Sequence, residues 1–226
     1  PPDHTRDPQH LRAYLAQLSI EPGSRPTRGE LWITTQDYRP KWGPRFAVVG
    51  GGNSSSTRPP VDREYSCKYP KAVLVVQHDR ERDSQQRADY LVDALPISFQ
   101  WQYAGPDDAI IRRGPTNPLD AGLMVECDMP IAVMRRQLDR PIARLNAATV
   151  TDILLLLHNV LGLLSGNDNV TKRERLLQLD RGTLVLDDDD PRLGFKRNER
   201  QNLGYLTASA RGFSEWIYEV DRTGPH

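Results

Sequence analysis

The sequence predicts an α+β protein, a mixed or antiparallel sheet packed against a C-terminal helical hairpin. Three observations carry this expectation. Short runs rich in β-branched and aromatic residues recur between Pro, Gly and Ser clusters: Leu31–Thr35, Arg45–Val49, Ala72–Gln77, Ile97–Tyr103 and Leu123–Cys127. The densest aliphatic segment, Thr149–Leu164 (TVTDILLLLHNVLGLL), has helical length, and a second helix start follows it across Ser165–Val170. Strand-like and helix-like segments do not alternate one for one, which argues against a βαβ succession.

Taken in order, His10–Ile20 places Leu11, Leu15 and Leu18 at helical spacing and stops before Pro22-Gly23, so it reads as a short amphipathic helix. After the first two strand-like runs, Gly50–Pro60 (GGGNSSSTRPP) is too rich in Gly and Ser to order without contacts and reads as a mobile loop. Asp83–Leu95 has helical spacing up to Pro96, and Pro130–Leu138 reads as a further helix. In the hairpin, Thr149 with Asp152 marks the first start, Gly162, Gly166 and Asn167 mark its end, and Thr171-Lys172-Arg173-Glu174 fits a capping box for the second helix. Strand-like runs return at Thr183–Leu186, Leu203–Thr207 and Phe213–Val220. The 226 residues fit one α+β domain with loosely ordered termini.

Composition bounds the function classes. Lys and Arg total 30, equal to Asp and Glu, yet residues 1–72 hold eleven basic against seven acidic side chains, a mild electropositive bias. Cys67 and Cys127 form no CxxC pair, which predicts no zinc site, no disulfide framework and a reducing, intracellular setting. The start at Pro1 without a leader predicts a processed form or a fragment of a larger protein. The longest uncharged apolar run, Ile153–Leu164, is twelve residues, short of the ~20 that a bilayer requires, so no membrane role is expected. Apolar residues on most sides of Thr149–Leu164 call for extensive cover, which points to a homo-oligomer or a protein partner.

The stretch Arg25–Lys71 holds nine Lys or Arg against four Asp or Glu, interleaved with Trp32, Tyr38, Trp42, Phe46, Tyr65 and Tyr69. Cations neutralise phosphates while aromatic faces stack on unpaired bases, so this mixture suits single-stranded nucleic acid. Arg39, Lys41, Trp42, Arg45, Arg58 and Arg63 are the candidate contacts. The leading expectation is thus a non-catalytic binding or assembly protein with no cofactor.

The alternative centres on Asp62, Glu64 and Lys68. Two carboxylates and a lysine before the Ala72–Gln77 strand could hold Mg²⁺ and stabilise charge developing on a phosphate. With Ser66-Cys67-Lys68 and Arg80-Glu81-Arg82, this region resembles the PD-(D/E)xK restriction-type endonucleases, while the separation of Glu64 from Lys68 is four residues instead of that family's two. The resemblance implies a Mg²⁺-dependent phosphodiesterase. Asp187–Asp190 reads as a solvated turn, and His158 as a histidine at the edge of the core.

Overall fold

The computed structural model describes residues 8–20, 25–34, 71–78, 91–164, 170–184, 187, 189–200, 203–204 and 206. The expected Arg45–Val49 strand, the Gly50–Pro60 loop, the 83–90 part of the expected helix and the Phe213–Val220 run lie outside the described residues. The α+β expectation holds: a seven-stranded antiparallel sheet is accompanied by four helices among the described residues.

Helix α1 (Pro8–Gln17) precedes strand β1 (Glu30–Thr34), followed by β2 (Ala72–His78), β3 (Leu91–Ser98), β4 (Asp108–Ile111), β5 (Leu123–Glu126), β6 (Ile131–Met134) and β7 (Leu138–Arg144). Helices α2 (Ala147–Val160) and α3 (Val170–Gln178) form the hairpin, and α4 (191–200, helical again at 203, 204 and 206) comes last. The strand order is β4-β5-β3-β2-β1-β7, with β6 also on β3. Strand β3 is long enough to take two partners along one side: Leu91–Ala94 pair with β6, and Ile97 and Ser98 with β5.

Pro96 lies in the gap between those two partners, where a missing N–H costs no ladder bond on that side. This corrects the expected Asp83–Leu95 helix, since residues 91–95 are strand. Pro130–Leu138 is likewise no helix but β6, a 3-10 turn at Arg135–Gln137 and the start of β7. Its β-branched Ile131 and Val133 alternate into the core, a period of two that outweighs the helical reading. The strand expected over Ile97–Tyr103 ends at Ser98, and Trp101–Tyr103 form a 3-10 turn. Residues 203, 204 and 206 are helical where a strand was expected, and 183–184 join no strand.

Helix α2 starts earlier than Thr149, because Asn146 is the cap: its side chain accepts the Thr149 N–H at 2.8 Å. Gly162, at φ +67°, closes the other end as the Leu163 N–H reaches the His158 carbonyl at 2.8 Å. Val150, Ile153, Leu156 and Leu157 form its buried stripe, joined by Leu11, Leu15 and Leu176 over the Leu31, Leu74, Leu95 and Leu123 face of the sheet. Leu179 lies against this core, whereas Leu177 and Leu163 are 79 % and 65 % exposed. His158 is also exposed, on the outer side of α2 and away from the core edge expected for it.

These positions separate core from surface on one hairpin. Leu156→Ala, in the fully buried stripe, should cost about 2–5 kcal/mol in urea unfolding, whereas Leu163→Ala should stay within about 0.5 kcal/mol. Equal losses would contradict the packing described.

Candidate functional site on the second face of the sheet

Alternation along the strands sorts the sheet into two unlike faces. Leu31 and Ile33, Leu74 and Val76, Leu95 and Ile97, Ala109 and Ile111, and Leu123 and Val125 line the face under α1, α2 and α3. The alternate positions bear Glu30, Trp32 and Thr34 on β1, Lys71 just before β2, Ser98 on β3, Asp108 on β4 and Glu126 on β5. All seven are buried, and six of them are polar or charged. Burying such groups costs free energy unless each finds a partner, so this second face is the chemically loaded one.

Helix α4 covers it. Leu203 and Leu206 join Trp32, Val73, Val75, Val92 and Ala94 in a small apolar cluster, and Phe195 stacks on Tyr103 with ring centroids 4.8 Å apart. One turn of α4 separates Lys196 from Glu199, which places both on its inner side. The Lys196 ammonium donates to Asp108 Oδ1 at 2.5 Å, Glu126 Oε2 at 3.1 Å and Asp128 Oδ1 at 3.2 Å, and so uses all three of its N–H groups. Arg200 reaches Asp128 at 3.2 Å, and Lys71 donates to the Glu199 carboxylate. At the far end of β1, Glu30 accepts from the Thr27 N–H at 2.8 Å, from Trp32 Nε1 at 3.0 Å and from Arg144.

Partners set the protonation of each group. Burial dominates at Glu126 and raises its pKa to about 7; Lys196 opposes the rise, while Glu199 and Asp108 add to it. Burial also raises Asp108 despite Lys196. Burial draws the Lys196 ammonium down, but Glu126, Asp108 and Asp128 together outweigh it, so the lysine holds its proton more tightly than usual. For Glu30 burial acts upward, and the Thr27, Arg144 and Trp32 hydrogen bonds more than reverse it. The Cys127 thiol is pushed up to about 12, first by burial and then by the Asp108 carboxylate, which leaves it a poor nucleophile.

The residues expected from sequence, Asp62, Glu64 and Lys68 with Arg39, Lys41, Trp42, Arg45, Arg58 and Arg63, all lie outside the described residues. The described residues that flank 35–70, Thr34 and Lys71, both lie on this face, where the Thr34 N–H donates to the Lys71 carbonyl at 2.9 Å. Sequence reasoning missed Asp108, Glu126, Asp128, Lys196 and Glu199. For Asp108 and Glu126 the signal was available only as polar residues at alternate strand positions, which is invisible where β4 goes unrecognised, and Asp128 in the turn after β5 and Lys196 and Glu199 on α4 carried no such signal. Among the described residues no group of three or more His, Cys, Asp or Glu is arranged to hold a metal ion. Nor is any helix among them long and apolar enough to cross a membrane.

No family model and no curated protein matches the chain. Among solved structures it is similar to an endoribonuclease in complex with its cognate antitoxin from a mycobacterial species, at a TM-score of 0.37 and 19 % identity over 62 % of this chain and 98 % of that one. It is also similar to the Mycobacterium tuberculosis toxin MazF-mt6, at a TM-score of 0.34 and 19 % identity over 44 % and 93 %. Likenesses at this level assign no role to any residue.

Glu126 gives the site a pH signature. Folding raises its pKa from 4.5 to about 7, so between these values the folded protein keeps a proton that the unfolded chain has released. Stability therefore falls as pH rises through that window and levels off above it. The unfolding midpoint should drop from about pH 5 to about pH 7.5 in the native protein and change much less in Glu126→Gln. An equal drop in both would contradict the assignment.

Proposed function

We propose that this protein acts on single-stranded RNA, binding the strand through residues 25–71 and cleaving its phosphodiester bonds on the second face of the sheet. The position of Lys71 carries the reading. It stands at the foot of the basic and aromatic segment and shares a face with Glu126. Glu199 links the two, accepting from Lys71 while its charge helps to raise Glu126.

RNA brings its own nucleophile, the 2′-hydroxyl. Cleavage then needs a base for that proton, a cation for the charge developing on phosphorus, and an acid for the leaving oxygen. A carboxyl titrating near neutrality suits proton abstraction, which gives Glu126 the part of the base; Lys71 supplies the cation, and the departing 5′-oxygen takes its proton from water. Arg39, Lys41, Trp42, Arg45, Arg58 and Arg63 supply phosphate and stacking contacts. Ribonuclease activity is also what the first of the two similar structures is named for, but the roles given to Glu126 and Lys71 come from this chain's own residues.

Two further readings follow from particular residues. A Mg²⁺-dependent reaction would use Asp62, Glu64 and Lys68, and a role in assembly with a second copy or another protein is favoured by the exposed Leu161, Leu163 and Leu177 on the hairpin.

Single-turnover cleavage of an end-labelled RNA oligomer separates these. We expect cleavage without Mg²⁺, none of a 2′-deoxy substrate, and losses of about 10²–10³-fold in Glu126→Gln and Lys71→Met. Cleavage that requires Mg²⁺, survives Glu126→Gln and vanishes in Lys68→Ala would move the reaction to the Asp62 group. Salt-sensitive binding that Trp42→Ala weakens, with no cleavage at all, would return the protein to a binding role.

A further inference from the structure

We propose that α4 is a built-in cover of the second face, in which the Glu199 carboxylate holds the Lys71 ammonium in the place of a substrate phosphate. The proposal draws on the RNA reading only for the identity of that substrate.

Three observations converge on it. First, α4 is attached differently from α2. The latter inserts four aliphatic side chains into the large core, whereas α4 contributes two charged ones, Lys196 and Glu199, with Phe195 on Tyr103 beside them and Leu203 and Leu206 beyond. Buried ion pairs return little net stability once the loss of water is counted, so α4 is the cover that lifts at lower cost. Second, each charge that α4 brings to the face meets an opposite one. Lys196 stands among Asp108, Glu126 and Asp128, Arg200 reaches Asp128, and Glu199 takes Lys71. An anionic oxygen on a lysine ammonium is the contact that a phosphate oxygen would make.

Third, the cover leaves one group unanswered. Glu126 Oε1 is fully buried and has no hydrogen-bond partner among the described residues. A buried carboxyl oxygen left without a donor is costly. A sugar hydroxyl beside a phosphate bound at Lys71 would provide the donor that α4 does not. At this one oxygen a ribose phosphate supplies what the lid does not, and the exchange of one for the other is a competition between Glu199 and substrate.

The test is the charge reversal Lys196→Glu with Glu199→Lys in the full chain, which leaves net charge unchanged. Two readouts are made: hydrogen exchange of the 191–200 amides, and affinity for a 2′-O-methyl oligonucleotide that cannot be cleaved. We expect exchange to quicken about tenfold and affinity to rise about tenfold. Adding Lys71→Glu to the reversal restores the pair with opposite polarity and should slow exchange again. Unchanged exchange in the reversed variant would overturn the proposal, as would faster exchange with unchanged or weaker oligonucleotide binding. Should circular dichroism show the reversed variant unfolded, Glu199→Gln alone should shift both readouts in the same directions, by less. If exchange and affinity rise as expected while neither protein cleaves RNA, the cover stands and the nuclease reading fails.

Discussion

Charged groups buried on the second face of the sheet must each be answered by a partner, and the architecture around that face is the answer. Asp108, Glu126 and Asp128 crowd one end, and one ammonium, that of Lys196, serves all three. Burial raises the pKa of both Asp108 and Glu126 against the pull of Lys196, while Asp128 has Arg200 as a second cation. Glu126, fully buried, is raised to about 7. The same requirement draws α4 onto the sheet, because no other described element brings Lys196 and Glu199 to that face.

This makes the two sides of the sheet physically different objects. Under α1, α2 and α3 the contacts are aliphatic, non-directional and roughly proportional to area, the kind that holds a fold together. Under α4 a smaller apolar cluster stands beside contacts that are directional and paired and that depend on protonation. Such a layer adds less stability than an apolar one of equal volume, and it carries chemistry that an apolar one could not. The meeting of Lys71 with Thr34, on either side of residues 35–70, ties that layer to a part of the chain that mixes basic and aromatic residues.

Much of the fold was legible in the sequence where one signal dominated. The β1, β2 and β5 runs stand out as unbroken apolar stretches rich in β-branched and large residues, and α1 and the hairpin as apolar residues at helical spacing and length. Legibility failed where signals competed. Pro96 reads as a stop until β3 is seen to change partners there, and Ile131–Met134 is too short to separate a strand from a helix by pattern. The terminal helix is masked by Leu203 and Leu206, which resemble strand residues when their partners across the sheet are unknown. For the site the reason is sharper. Asp108 and Glu126 lie on neighbouring strands at opposed positions, while Lys196 and Glu199 come from much later in the chain, and only the fold brings them together. A linear reading draws attention to charges that are near one another along the chain, and this cluster is assembled from charges that are not.

If the second face is the working face, RNA must touch it, and photo-cross-linking reads that contact. With a 4-thiouridine-labelled RNA oligomer, cross-linked peptides are expected from the Lys71 end of β2 and from β5, suppressed by excess unlabelled RNA. Cross-links confined to α1, α2 and α3, on the aliphatic side, would contradict that role.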